Sequence, residues 1–344
     1  MRIPATMIAL ALAIPASVMA QEPVLPTAAT AVAASPDPAV QGPATGVRKR
    51  RGSMVGYVED ASIRTQVRVR FDAGFGVNSP DRAEFFYGKC GCYRGLDGTP
   101  LFDADAPGPG PGIVTNMDFQ SFRVMGEFAL SDRFSVFADV PFRSIKPQSF
   151  VAGTGSFGNQ SGLGDVEAGV KLGLVSDDRR NLTVLVRGSF PTGDSKKGLG
   201  TDHASIEPAL LYRQDLSDRV SIESQFGEWH PIGGSQGPLV SDKKFAGDVL
   251  YYGIGPSFDV VRTDTFRFSP VVELVGWHVI NGFQTSTLLT PTGGDASGVN
   301  IVNLKVGART TFRNGGSFYA GFGWGLTDSI WYDKVLRIEY RAGF

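Results

Sequence analysis

The sequence predicts an all-β protein, a closed antiparallel transmembrane β-barrel of about twelve strands. Three observations predict this fold. The chain has 344 residues, 42% of them hydrophobic, yet past the first twenty residues no run of about 18 apolar residues could cross a bilayer as a helix. From Thr65 onward apolar and polar residues alternate with a period of two, which is typical of strands that face two environments. Most alternating segments are about 10 to 13 residues long, as tilted transmembrane strands are and soluble strands are not.

Composition excludes several other classes of protein. The 24 Phe, 4 Trp and 9 Tyr carry too much burial-seeking surface for a disordered chain. Two cysteines exclude a disulfide scaffold. A net charge of −1 argues against a nucleic-acid partner, because such proteins carry a basic surplus.

The first 64 residues precede the alternating region. Residues 1–20 have the charged start, the short apolar core and the small residues before Gln21 that predict a cleaved signal peptide. Residues 21–64 are predicted to be a flexible periplasmic segment, rich in Pro and Ala over 21–47. The basic run 48–51 is either a solvated linker or a contact with an anionic polymer or lipid. Residues 48–64 are also a candidate for a small plug in the barrel.

Residues 65–344 are predicted to form the barrel itself. The twelve alternating segments lie near 67–75, 122–130, 134–143, 165–174, 182–190, 204–213, 220–226, 250–260, 268–274, 302–312, 318–326 and 336–344. Short polar links alternate with longer loops at 76–116, 144–162, 191–202, 230–246 and 280–298. This alternation is typical of outer-membrane barrels, which have an even number of strands. Because an open sheet edge is costly in lipid, we expect the first strand to pair with the last.

The polar face of these strands is strongly charged, and we expect it to line the lumen. The predicted lumen residues are Arg68, Arg70, Asp72, Arg123, Glu127, Asp139, Arg143, Glu167, Lys171, Arg187, Glu207, Arg213, Glu223, Glu273, Lys305, Arg309, Arg337, Glu339 and Arg341. Two interpretations remain open: a salt-bridged network that fills the barrel, or a conduit whose mixed charges set selectivity. We expect Gly321, Gly323 and Gly325 to leave room in this lumen.

One stretch resembles a known family. The segment Gly162 to Leu174 (GLGDVEAGVKLGL) is followed by a turn, a strand and Phe190 to Asp194 (FPTGD). Over about 162–226 this is similar to the meta-pathway phenol-degradation family of outer-membrane proteins, which are often described as transporters. The resemblance implies a barrel that moves small hydrophobic or aromatic molecules, and it implies no catalytic residues and no cofactor.

Two features of the loops invite other interpretations. Cys90 and Cys92 lie in the first long loop, where export favours oxidation. They form either a strained local disulfide or thiols that meet a partner, and they are too few for a metal site. Neighbouring Phe85, Phe86, Tyr87 and Tyr93 could form an aromatic patch at the external rim. The run 153–158 (GTGSFG) matches a dinucleotide-binding pattern, but the next predicted element is a strand instead of the required helix.

The predicted function is passive passage of small, hydrophobic or aromatic molecules across the bacterial outer membrane, with both termini periplasmic. The expected partners are membrane lipid, the solute, and the barrel-assembly machinery, which would bind the terminal Phe344. One alternative is a structural or adhesive barrel that acts through its long loops. Another is a lipid hydrolase, for which His203 and Ser205 would share one strand face, although no orienting acid or oxyanion hole is evident. Nothing in the sequence indicates the oligomeric state.

Overall fold

The computed structural model describes residues 52–77, 91–99, 102–234, 246–284 and 294–344. The predicted signal peptide, residues 21–51 of the predicted periplasmic segment, Cys90 and the aromatic residues 85–87 lie outside these ranges. No helix among the described residues is long and apolar enough to cross a membrane.

Twelve antiparallel strands form the wall. They are β1 (Gln66–Val77), β2 (Val114–Ser131), β3 (Phe134–Phe150), β4 (Val166–Ser176), β5 (Arg180–Phe190), β6 (Ala204–Asp215), β7 (Val220–Ile232), β8 (Val249–Phe258), β9 (Phe266–Val279), β10 (Asn300–Phe312), β11 (Ser317–Gly325) and β12 (Lys334–Gly343). Each strand pairs with its neighbours in the chain, and β1 pairs with β12 from Gln66↔Gly343 to Phe75↔Lys334. The sheet is therefore closed, and the predicted fold class is confirmed.

Short elements decorate this wall. Residues Gln160–Leu163 pair with β3 just before β4 begins, and Val261–Arg262 pair with β9. A two-residue pairing joins Phe283–Gln284 to Gly294–Asp295. Two 3-10 helices, Gly91–Gly95 and Ser195–Lys197, lie in long loops.

The two faces of the wall differ as the alternation predicts. Large apolar side chains on the outer face stay exposed, as Phe128 (57%), Leu172 (47%) and Phe226 (56%) illustrate. Charged side chains on the inner face are buried, and Arg309, Glu273 and Glu339 have no exposed surface at all. Apolar surface on the outside and charge on the inside are the reverse of a soluble protein, and they suit a barrel surrounded by lipid.

Strands β2 and β3 extend further than the predicted segments. They have 18 and 17 residues, and their added ends pair from Val114↔Phe150 to Phe119↔Ile145. The inward residues here, such as Met117 and Ile145, are apolar and belong to a buried cluster. Because apolar residues occupy the inner face as well, the contrast that marked the other segments is lost.

Connections of two kinds occupy the two ends of the barrel. Links of a few residues lie at one end, here called the short-turn end, and include 132–133 and 313–316. Longer connections lie at the opposite, long-loop end and include 151–165 and 191–203. Both the start of β1 and the end of β12 lie at the short-turn end, because β1 leads into a long loop.

Candidate functional site: a segment inside the lumen

Residues 52–64, here called the lumen segment, run inside the barrel before β1 begins. Most of the segment is buried, with Val55 completely so and Met54 and Val58 about 1% exposed. Gly52, Ser53 and Arg64 line one cavity with the short-turn residues 263–265. The segment therefore enters and leaves at the short-turn end and bends within the lumen.

Wall carboxylates and an amide hold the N–H groups of this segment. The carboxylate of Glu273 on β9 accepts hydrogen bonds from the backbone N–H groups of Gly56 (3.0 Å), Tyr57 (2.8 Å) and Val58 (2.8 Å). In addition, Glu223 accepts from Met54 N and Gln225 accepts from Glu59 N, both at 2.7 Å. Buried backbone donors need such partners, since an unsatisfied one costs about 1–3 kcal/mol.

Wall cations and a hydroxyl hold the carbonyl groups. Arg309 donates to Met54 O at 3.1 Å and to Val55 O at 2.7 Å. The other donors are Arg341 to Val55 O, Arg337 to Gly56 O, Lys171 to Asp60 O and Thr183 to Ala61 O. Wall side chains thus take the place that a neighbouring strand would have in a sheet.

Side chains of the segment add charge pairing. Glu59 pairs with Arg68 at 3.3 Å and with Arg187 at 3.2 Å. Asp60 pairs with Arg341 at 3.3 Å and with Arg64 of the segment itself at 2.7 Å. Burial alone would raise the pKa of the Asp60 carboxyl, but the Arg64 and Arg341 guanidiniums hold that pKa well below its usual range.

Tyr57 anchors the middle of the segment. The Lys305 ammonium and the Arg337 guanidinium lie over its ring, 4.0 and 4.1 Å from the centroid. Its ring meets that of Tyr319 edge-on, with centroids 6.2 Å apart. Met54, Val55 and Val58 pack against Val271 and Val275 of β9.

All the sequence-predicted lumen residues point inward, and most of them join one connected network. Arg123 pairs with Asp139 at 3.0 Å and with Glu167 at 2.7 Å. The other wall pairs are Lys171–Glu127, Arg187–Glu207, Arg337–Asp72, Arg70–Asp72, Arg309–Glu339, Arg341–Glu339 and Arg213–Asp215. Lys305 donates to Tyr332, and Arg143 donates to the Leu199 carbonyl. These residues both fill the barrel and bind the lumen segment.

Cavities lie on both sides of the lumen segment. A cavity of about 350 Å³ opens at the short-turn end, where Ser53 and Met54 form part of its wall. A second cavity of about 230 Å³, here called the inner chamber, lies on the other side, where Tyr57 and Glu59 line it. The segment thus lies as a partition between the inner chamber and the cavity at the short-turn end.

The aromatic wall of the inner chamber was missed by sequence reasoning. Trp229, Tyr251, Trp277 and Trp331 line this chamber with Tyr57 of the segment. The rings of Trp277 and Trp331 lie 4.5 Å apart. Trp277 shares the strand parity of Glu273, which could have placed it on the inner face.

The expectation that glycines open the lumen at β11 is wrong. A Cβ on Gly321 would lie 2.3 Å from the Tyr319 hydroxyl, and one on Gly325 would lie 2.5 Å from Ile330. A Cβ on Gly323 would meet Lys305 at 2.9 Å. Neighbouring side chains fill the space that these glycines leave.

In the motif that carries the family resemblance, Asp165 holds the loop 191–203 in place through hydrogen bonds, an arrangement here called the loop clamp. The Asp165 carboxylate accepts from Gly193 N at 3.0 Å, and from Thr201 N and Thr201 Oγ1 at 2.8 and 3.0 Å. Asp165 is the last residue of the GLGD stretch, and Gly193 belongs to the FPTGD stretch. The clamped loop carries Leu199, which is buried in an apolar cluster at the long-loop end.

The positions of His203 and Ser205 do not support the hydrolase hypothesis. The Nδ1 atom of His203 lies 2.8 Å from the Thr201 carbonyl, and its ring packs edge-on against Trp229. Ser205 Oγ is buried with no hydrogen-bond partner among the described residues. The hydrogen bond from nucleophile to base that such catalysis uses is therefore not formed here.

The first loop departs from one expectation. Tyr93 is 1% exposed and packs with Cys92, Ala106 and Ile113, so it is buried instead of forming a rim patch. Cys92 is disulfide-bonded, and the one other cysteine of the chain is Cys90, which lies outside the described residues.

One group on the outer face has ligand types that suit a metal ion. The donor atoms of Glu228, His230 and Asp248 lie within 4.8 Å of one another. His230 Nδ1 and Asp248 Oδ1 are 2.6 Å apart, and Asn281 donates to the other Asp248 oxygen at 2.8 Å. His230, Asp248 and Asn281 are therefore already joined by hydrogen bonds.

Comparison with known proteins supports the fold. An outer membrane channel from Pseudomonas putida F1 superimposes with a TM-score of 0.50 at 13% identity, covering 84% of this chain and 99% of that one. The NanC porin matches with a TM-score of 0.42 at 8% identity, over 81% of this chain and 99% of that one. The β domain of the Bordetella autotransporter BrkA gives 0.46 at 12% identity, over 82% of this chain and 100% of that one. The chain has the fold of an outer-membrane β-barrel.

Sequence comparison adds no family. No family model matches the chain, and no curated protein matches it. Membership of the phenol-degradation family therefore stays a prediction.

Proposed function

We propose that this protein is a passive outer-membrane channel for small, hydrophobic or aromatic molecules, closed by the lumen segment and opened when that segment leaves. The observation that carries the proposal is the way the segment is held. Its backbone is bound by wall side chains such as Glu273 and Arg309, and no strand of the barrel pairs with it. The segment can therefore leave while every strand pair of the wall stays intact, and water can replace its partners.

The long-loop end supports the solute class. Phe119, Ile145, Leu199, Trp331 and Tyr332 form a buried apolar cluster there. The aromatic inner chamber lies next to this cluster and shares Trp331 with it. A solute with an aromatic or apolar body would find compatible surface in the inner chamber, beside this cluster.

The same barrel supports the proposed location in the outer membrane. The exposed apolar outer face is the partner for outer-membrane lipid, with both termini in the periplasm. Phe344, 86% exposed at the chain end, is the proposed contact for the barrel-assembly machinery.

Conductance in planar bilayers tests the proposal. The unaltered chain should conduct little, whereas a chain with residues 54–61 deleted should show steady open-channel current. A deletion of the same length at residues 22–29 is the matched control and should behave as the unaltered chain. If the 54–61 deletion folds, as heat-dependent migration on SDS gels reports, and yet conducts no better, the channel proposal fails.

The filled lumen favours a second candidate, a structural or adhesive barrel that acts through its long loops. In that case the 54–61 deletion would leave partner binding unchanged. Shortening the loop at residues 102–110 would instead abolish binding to cells or surfaces.

A further inference from the structure

The inner chamber contains a guanidinium whose hydrogen-bonding capacity is not used. Arg70 of β1 lines this chamber and is 9% exposed. Its Nε lies 3.4 Å from Asp72, but both Asp72 oxygens already accept from Arg337, at 2.6 and 3.0 Å. Among the described residues Arg70 Nε has no hydrogen-bond partner.

The other chamber arginines are neutralised. Arg123 pairs with Glu167 at 2.7 Å, and Arg187 pairs with Glu207 at 2.8 Å. Arg337 holds both oxygens of Asp72 in a two-pronged contact. Arg70 therefore shares the Asp72 carboxylate with Arg337. A buried cation whose charge is only partly neutralised favours the binding of an added anion.

Aromatic surface lies beside this cation. Tyr57, Trp277 and Trp331 line the same chamber as Arg70. The Tyr57 hydroxyl is buried and has no hydrogen-bond partner among the described residues. The volume of about 230 Å³ lies below the usual range for drug-sized ligands, about 300–1,000 Å³, and so suits a molecule with one ring.

We infer that the inner chamber binds a monocyclic aromatic carboxylate, with the carboxylate on Arg70 and the ring against Tyr57, Trp277 and Trp331. A carboxylate accepts two parallel hydrogen bonds from a guanidinium, and the rings supply apolar contact to the body of the molecule. This inference rests on the proposed function, since it names the solute class of that channel. Because Tyr57 belongs to the lumen segment, the bound solute touches the partition itself.

Binding to the refolded full chain in detergent tests the inference, with tryptophan fluorescence and calorimetry as readouts. Benzoate should bind, whereas benzamide, its neutral analogue of similar shape, should bind at least about ten-fold more weakly. Glucuronate, an anion on a non-aromatic ring, should also bind more weakly than benzoate. This comparison of ligands needs no variant.

Variants sharpen the test. Arg70→Gln should weaken benzoate binding about ten-fold or more, while Asp72 keeps its Arg337 partner and the wall stays paired. Arg179→Gln, a change at an exposed short turn, should leave binding unchanged. Equal binding of benzoate and benzamide, unaltered affinity in Arg70→Gln, or tighter binding of glucuronate would each overturn the inference.

The two proposals fail separately. If benzoate does not bind but the 54–61 deletion conducts, the solute class is wrong and the channel stands. If benzoate binds with the expected Arg70 dependence but no variant conducts, the chamber is a binding site in a closed barrel.

Discussion

The carboxylate of Glu273 accepts the backbone N–H of Val58 at 2.8 Å, across 215 residues of sequence. The same carboxylate also accepts from Gly56, Tyr57 and the Tyr319 hydroxyl. One wall side chain thus fixes the bend of the lumen segment.

Glu273→Gln should loosen the lumen segment. The amide keeps one acceptor oxygen but loses the charge that strengthens these bonds, so we expect the closed state to weaken by about 2 kcal/mol. That corresponds to a roughly 30-fold rise in the open-to-closed ratio. Single-channel recording measures it. Glu228→Gln, on the outer face, is the control, and equal open times in both variants would contradict the role of Glu273.

Gly56→Val should displace the segment by steric overlap. A Cβ at Gly56 would lie 2.2 Å from the Tyr319 ring, a distance that real contacts do not reach. We expect a higher open probability, and partial return to the closed state when Tyr319→Ala is added to make room. Gly126→Ala, where a Cβ meets nothing within 4 Å, should be silent. Failure of Tyr319→Ala to restore closure would argue against this contact.

Mild acid should not open the channel by protonating Asp60. The pKa of Asp60 is held below its usual value by Arg64 and Arg341. A lowered pKa contributes stability that is fully present above the unpaired value, about 3.9, and is lost as pH falls towards the lowered value. Protonation of Asp60 should therefore not change the conductance between pH 7 and pH 5. A steep rise in current between these values would show that another group controls closure.

Asp165→Ala should release the loop 191–203. Removing the carboxylate leaves the N–H groups of Gly193 and Thr201 without their acceptor. We expect faster tryptic cleavage after Lys196 and Lys197, by about ten-fold or more for a loss near 2 kcal/mol. Asp328→Asn, on an exposed loop, is the control. Unchanged cleavage rates would mean that the clamp does not limit loop opening.

The barrel could be predicted from the sequence because the alternation of apolar and polar residues lies within each strand. Alternation within each segment assigns Arg68 and Glu273 to the inner face, and the cost of an open edge requires β1 to pair with β12. The extended ends of β2 and β3 were not predicted, because Met117 and Ile145 are apolar residues on the inner face and interrupt the alternation. The prediction for the glycines of β11 was wrong for a related reason. Alternation shows which face of the sheet a residue occupies, but it does not show which neighbouring side chain fills the space beside it.

The contacts that hold the lumen segment could not be predicted from the sequence in the same way. Its partners bind backbone atoms, as Arg309 does at Val55 O, and backbone atoms carry no sequence pattern. The contacts also join residues more than 100 positions apart, such as Lys171 and Asp60. The chamber aromatics Trp229 and Trp331 come from strands and loops that meet only when the barrel closes.

A disulfide lock tests the central claim most directly. Val58 Cγ2 lies 3.1 Å from the position of a Cβ on Gly253 of β8, which is close enough for Val58→Cys and Gly253→Cys to be bridged. In bilayers this variant should stay closed when oxidised and should conduct at the level of the unaltered chain, or above it, once reduced. The unaltered chain under the same reductant controls for its own disulfide. Equal, sustained current through the oxidised and reduced forms would show that solute passes without movement of the lumen segment.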